Sequence, residues 1–413
     1  MSRLSFALNT AQNRTCLPLA ALAALASLAL LPACDPKVAD DSGTGDSDAD
    51  ADTDTDSDTD ADTDTDTDTD TDTDADADVN YALVATTTDY TVGALATISK
   101  DGVLTDNVAP ISSDAAVRAV AGRVYVMNRS SENTVQRFEG MDFSAPTLEF
   151  STGDGSNPHD VAECGGAIVV SLFAEDALMV VDPTTGLQTD SVDLSAFNDS
   201  DGSPEPDGMY VAPNGYLYLA MSQLESYVSA DGSGTIAKID CSSWQVVEFW
   251  DVGPSPFFQV DSTNPALLAV TGGNYYNSDY SGPDLDGALS YFDTTDDSFT
   301  TTEITEASLG MNLGAVNGTP DGYRITTLDD GYTWSLLCIA PDGSTMMSDV
   351  GEAYIGSMES TPDGKVWASI GAGYGMGTPP TTGFTPLDPV ACTAGTAVSA
   401  ALGPSSITVA ILP

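Results

Sequence analysis

Seven apolar stretches recur along this chain at steps of 44 to 55 residues, marked by Val117, Val161, Tyr210, Phe258, Leu313, Met358 and Ile407. A recurrence on that scale constrains the fold more than composition does, because each unit must lean on its neighbours to bury an apolar face. The units share one order: an apolar strand, a Gly turn, a second strand, a polar loop, a third strand, a turn often centred on Asp, and a fourth strand. "NPHDVAECGGAIVVSLFAEDALMVVDPTTGLQTDSVDLS", Asn157 to Ser195, is the clearest; Val117 to Gly140 repeats the order, and "DGMYVAPNGYLYLAMSQL", from Asp207, opens the next. Two-residue alternation in "RVYVMN" and "YLYLAM" marks strands rather than helices. This period matches a propeller blade, and seven anchors predict seven blades. The last anchor lies in "GPSSITVAILP", Gly403 to Pro413, and has no second strand after it. Its partners lie at the other end of the repeats, where "YALVATT" from Tyr81 and "ALATIS" from Ala94 form a blade lacking its inner strand. The expectation is an all-β, seven-bladed β-propeller over residues 80–413, closed by pairing the C-terminal strand into the first blade so that open strand edges are satisfied.

The segments "RVYVMNRSSENTVQRF" (Arg123 to Phe138) and "LMVVDPTTG" (Leu178 to Gly186) resemble the YVTN-type, surface-layer-like propeller repeats of bacterial envelope proteins. The resemblance covers most of residues 81–413, with the sixth and seventh units departing furthest. It implies a seven-bladed propeller with a binding or scaffold role, and it supplies no catalytic residues.

Ahead of the repeats, Arg3 and Arg14 precede an apolar run from Leu17 to Leu31, too short to span a bilayer comfortably and placed like a secretory signal. It ends in Leu31-Pro32-Ala33-Cys34, which resembles a bacterial lipoprotein signal. Residues 1–33 are therefore expected to be removed, with Cys34 acylated, anchoring the protein to the cell envelope without spanning it. Asp35 resembles an inner-membrane retention signal of enteric bacteria, but that rule varies among lineages; outer membrane, cell surface and inner membrane stay open. From Asp46 to Asp78 every even position is Asp, with Thr, Ser or Ala between. Like charges repel and nothing apolar is available to bury, so residues 34–79 are expected to form a disordered acidic tether. An EF-hand needs a mid-loop Gly and a closing Glu, and this run has neither.

The 20 acids and 3 bases before residue 79 account for only part of the formal charge of −52; the repeat region alone is still near −35. Such a surface speaks against a nucleic-acid partner. Once Cys16 leaves with the signal and Cys34 carries lipid, Cys164, Cys241, Cys338 and Cys392 permit two disulfides in any of three pairings. No C-x-x-C or His-rich spacing points to zinc.

Long connections are expected on one face of the ring: Ala196 to Gly208, Gln223 to Gly234, Gly273 to Gly287 and Ala372 to Gly383, against short Gly turns on the other. Length variation gathered on one face is how repeat proteins build binding surfaces. Tyr227, Tyr275, Tyr276, Tyr280 and Tyr374, set among carboxylates and glycines, suit a glycan or a polypeptide ligand, since rings give contact area at low entropic cost. His159, the sole histidine, begins an inner strand and joins them as a candidate ligand contact. The residues identify no definite cofactor, and Ca²⁺ is the one candidate. A Ca²⁺ site is conceivable at Asp199, Asp201, Glu205 and Asp207, because hard cations want several oxygens. "TLDDGYTW", Thr327 to Trp334, matches the structural Asp-box of sialidase-like propellers, yet a sialidase needs arginines from several blades, whereas Arg118, Arg123, Arg129 and Arg137 crowd into one. Two functions stay open: an envelope binding or scaffold module, and a lactonase-like or quinoprotein-like propeller enzyme.

Overall fold

The structure, a computed structural model, describes residues 79–412 apart from 227–228, 231–233, 263, 275–283, 300–303, 320–321, 330–333, 349–353, 372–382 and 389. Among the described residues, seven antiparallel sheets of four or five strands are arranged as a ring, with one further two-stranded pair, Leu224–Ser226 with Ser229–Ala230. Their innermost strands are Ala115–Val120, Pro158–Cys164, Pro206–Val211, Phe257–Val260, Asn312–Thr319, Tyr354–Ser360 and Gly403–Ile411, and each contains one of the seven sequence anchors. We number the blades 1 to 7 by the chain order of their second strands. Blade 1 is Leu104–Ile111, Gly93–Ser99 and Tyr81–Thr88 with Gly403–Ile411 as its inner strand, so the two ends of the repeat region share one sheet. The register pairs Ala82 with Ala410, Leu83 with Val409 and Val84 with Thr408. Closure thus comes from backbone hydrogen bonds that would otherwise be an open edge at each end.

Packing between blades buries the second strands almost completely. Leu217–Met221 is buried throughout, and Arg123–Asn128 is buried after its first residue. Each blade presses both faces against its neighbours, and the apolar side chains sort into seven clusters, one in each gap between adjacent blades. The cluster joining Leu83, Ala85 and Ile407 to Trp367 and Phe384 seals the gap where the ring closes. Outermost strands are more exposed by contrast; Gln188–Asp193 buries only Val192.

The short-turn face is cross-linked between blades. Cys164 at the foot of blade 3 is disulfide-bonded to Cys241 in blade 4, and Cys338 in blade 6 to Cys392 in blade 7. Of the three pairings the sequence allows, the structure adopts the one joining sequential blades. The turn beside the first bridge needs glycine: Gly165 has φ +58°, and a Cβ there would sit 2.4 Å from the Cys241 carbonyl oxygen. Four tyrosines add to the stitching by donating to a carboxylate of the neighbouring blade: Tyr81 to Asp363 (2.8 Å), Tyr125 to Glu163 (2.7 Å), Tyr218 to Asp297 (2.6 Å) and Tyr323 to Asp261 (2.5 Å). Burial first, and then the adjacent carboxylate, pushes the Tyr125, Tyr218 and Tyr323 hydroxyls far above the usual phenol range.

Candidate functional site

The inner strands enclose a cavity of about 520 Å³ along the axis. Its ionisable lining comes from four blades: Arg118 and Arg129 from blade 2, His159 and Asp160 from blade 3, Asp207 from blade 4 and Glu359 from blade 7. The inner strands start at the long-loop face, which places His159 and Asp207, near the starts of theirs, at that mouth.

Two arrangements stand out. At the mouth, His159 Nδ1 lies 3.0 Å from Asp207 and Nε2 lies 3.3 Å from the Asn157 amide nitrogen, while its ring stacks on Phe173 at 4.2 Å. With the Asn157 amide donating to Nε2, the proton sits on Nδ1 and is donated to Asp207. Asn157 turns the chain into the strand at φ +51°, a conformation asparagine tolerates better than most residues. Burial works against the Asp207 carboxylate, but His159 and Arg129 outweigh it and hold it below the usual range.

Deeper in the cavity, Arg118 donates from Nη2 to the Met209 carbonyl (3.2 Å), and its Nε lies 3.8 Å from Asp160. Asp160 accepts from the amides of Val161 and Met209, both at 2.8 Å. Burial raises Asp160 despite that support. Glu359 is pushed up to about 7, by burial first, with Arg118 opposing and Asp160 adding. Here two carboxyl groups face a single guanidinium.

The structure divides the four proposed metal ligands. Oxygens of Asp199, Asp201 and Glu205 lie within 4.8 Å of one another, whereas Asp207 is engaged with His159. Glu205 is buried, accepts from the Leu224 amide at 2.8 Å, and is raised to about 7 by burial and by Asp199 and Asp201. Three hard oxygen donors suit a cation such as Ca²⁺, which would complete its six or more ligands from carbonyls or water.

Cys34 and the tyrosines at 227, 275, 276, 280 and 374 lie outside the described residues. Of the expected long connections, those at 222–233 and 273–287 fall between second and third strands, the first holding the short pair Leu224–Ser226 and Ser229–Ala230, and 194–205 leads into an inner strand; 275–283 and 372–382 lie outside the described residues. Thr327 and Trp334 of the Asp-box flank the hairpin between the second and third strands of blade 6, where Leu328 pairs with Trp334.

Sequence reading missed Arg118, Asp160 and Glu359 as one group, because they come from three blades and none belongs to a motif. It also missed Glu306, fully buried, whose carboxylate accepts from the amides of Leu313 (2.7 Å) and Gly287 (2.8 Å) and from the Asn312 side chain (3.3 Å). A Cβ on Gly273 would lie 2.5 Å from Glu306 Oε1, so this acid sits against both glycines that begin and end the 273–287 connection.

No family model and no curated protein matches the chain. Among solved structures, a 6-phosphogluconolactonase candidate from Bacteroides fragilis shares 12% identity, covering 81% of this chain and 99% of its own, with a TM-score of 0.55. Hydrazine synthase from Kuenenia stuttgartiensis shares 16% identity over 72% of this chain and 90% of its own, with a TM-score of 0.53. At such identities the likeness is one of fold: this chain is a seven-bladed β-propeller.

Proposed function

We propose that this chain is a lipid-anchored binding module of the bacterial cell envelope. Cys34 carries the anchor, the acidic tether holds the ring off the membrane, and the long-loop face takes a glycan or polypeptide ligand around the mouth of the axial cavity. One observation carries the reading: the face that collects the long connections is also where ionisable side chains from different blades meet at the ring's axis. His159, the residue an enzymatic reading would need as base, is occupied at both ring nitrogens and stacked on one face. That environment suits a fixed wall better than a proton shuttle.

The test uses the full chain in detergent on an array of bacterial envelope glycans, together with a pull-down of envelope polypeptides. Replacing Tyr275 and Tyr276 by Ala should abolish capture while leaving the melting temperature unchanged. Hydrolysis of δ-valerolactone that disappears in His159→Ala, with folding intact, would instead establish the enzyme. The anchor is tested separately: Cys34→Ala should move the protein from the detergent phase to the aqueous phase.

A further inference from the structure

We propose that the axial cavity binds a small organic ammonium ion, with the carboxylates of Asp160 and Glu359 as its counter-charges and the exposed Phe257 ring beside it. The inference deepens the binding-module reading and rests on it for the ligand's route, through the mouth on the long-loop face.

Charge balance is the first support. Arg118 acts electrostatically on both acids, and Asp160 already has the guanidinium nearby and two backbone amides. Glu359 shares that guanidinium's field but accepts no hydrogen bond among the described residues. Ionising both acids leaves the group one positive charge short. The carboxyl of Glu359 therefore keeps its proton up to about pH 7, and a bound cation would supply what is missing.

The second support is the shape and chemistry of the walls. About 520 Å³ is the size of a small-molecule site. Phe257 lines it beside the charges and is 43% exposed, whereas Met209 and Met358 bury their side chains between blades. An exposed aromatic ring attracts an ammonium group. A metal ion is a poorer fit, because among the described residues only Asp199, Asp201 and Glu205 bring three ligand atoms together. An anion would meet two carboxyls around a guanidinium already bonded to Met209. The net charge of the repeat region, near −35, also draws cations to the mouth.

A pH signature follows. The charged groups acting on Glu359 are Arg118 and Asp160; His159, Asp207, Arg129 and Tyr210 also line the cavity. Binding a cation favours ionised Glu359, so affinity should rise with pH through about 7, by about tenfold between pH 6 and pH 8.

Isothermal calorimetry on the full chain in detergent would use choline, its uncharged isostere 3,3-dimethyl-1-butanol, and butyrate. Choline should bind, about tenfold more tightly at pH 8 than at pH 6, with the isostere and butyrate silent. Glu359→Gln should weaken choline at least tenfold at pH 8 and flatten the profile; its folding is checked by melting at pH 6, where Glu359 is mostly protonated and the change nearly isosteric. Arg118→Gln, which removes the competing cation, should tighten choline. Equal binding of the isostere, preference for butyrate, an unchanged Glu359→Gln, or silence from all three probes would overturn the inference. Because Tyr275 and Tyr276 belong to the separate glycan and polypeptide test, the binding-module reading can fail while choline still binds, and the reverse.

Discussion

The two faces of the ring are built on opposite principles. On the short-turn face, buried polar groups are matched to partners on the next blade: two disulfides, and four tyrosine hydroxyls set on carboxylates. On the long-loop face and along the axis, burial outweighs the hydrogen bonds and charges that favour ionised acids, and Glu205, Glu306 and Glu359 are all pushed up to about 7. A matched polar network rigidifies, whereas unmatched buried charge costs stability. The contrast is one of matched against unmatched buried polar groups.

That contrast can be broken in several ways. The largest effect should come from removing residues 403–413, which opens blade 1 and uncovers the Trp367–Phe384 cluster; cooperative thermal unfolding should vanish, and a truncated chain melting like the parent would refute closure by this strand. Next, replacing Cys164 and Cys241 together by Ser should cost about 2–5 kcal/mol in guanidinium unfolding, since a loop of 77 residues is freed in the denatured chain. Loss of well under 1 kcal/mol would mean that the short-turn face does not depend on its staples.

The pH dependence is intermediate in size. Each of Glu205, Glu306 and Glu359 has a folded-state pKa of about 7 against an ordinary 4.5, so between those values the folded protein holds more protons than the unfolded one. The stability they confer is complete below about pH 4.5 and is lost as pH rises through 7. The unfolding free energy measured in guanidinium should therefore fall by a few kcal/mol from pH 5 to pH 8, since a tenfold difference in proton affinity between the two states is worth about 1.4 kcal/mol. On the short-turn face Asp363 runs the other way. Burial opposes its charge, yet hydrogen bonds from Lys365, Thr361 and Tyr81 hold it at about 2, so its contribution is kept until strong acid. The smallest effects compare single side chains. Tyr323→Phe should destabilise by about 1–3 kcal/mol by stripping the donor from Asp261. Glu205→Gln at pH 8 should be neutral or slightly stabilising, and strong destabilisation there would erase the distinction between the faces.

The anchor residues, blade count, closing strand and face of the long loops were legible in the sequence because they rest on local patterns: alternation within a strand, Gly at turns, and the spacing between repeats. The candidate site was legible only in part. His159 was found because it is the sole histidine, and three of the four proposed metal ligands meet because they are close along one loop. Asp207 follows them in the chain, but its strand begins there and turns it to the axis.

What the sequence determined by itself is the period of the strands and therefore the ring, since alternation and turn chemistry act over a few residues and each blade repeats the same solution. Only the tertiary structure decided which cysteines pair, which tyrosine reaches which carboxylate, and that Arg118, Asp160 and Glu359 face one another. Those contacts join residues far apart in the chain, and their geometry exists only once seven blades have closed and each inner strand has taken its register around the axis.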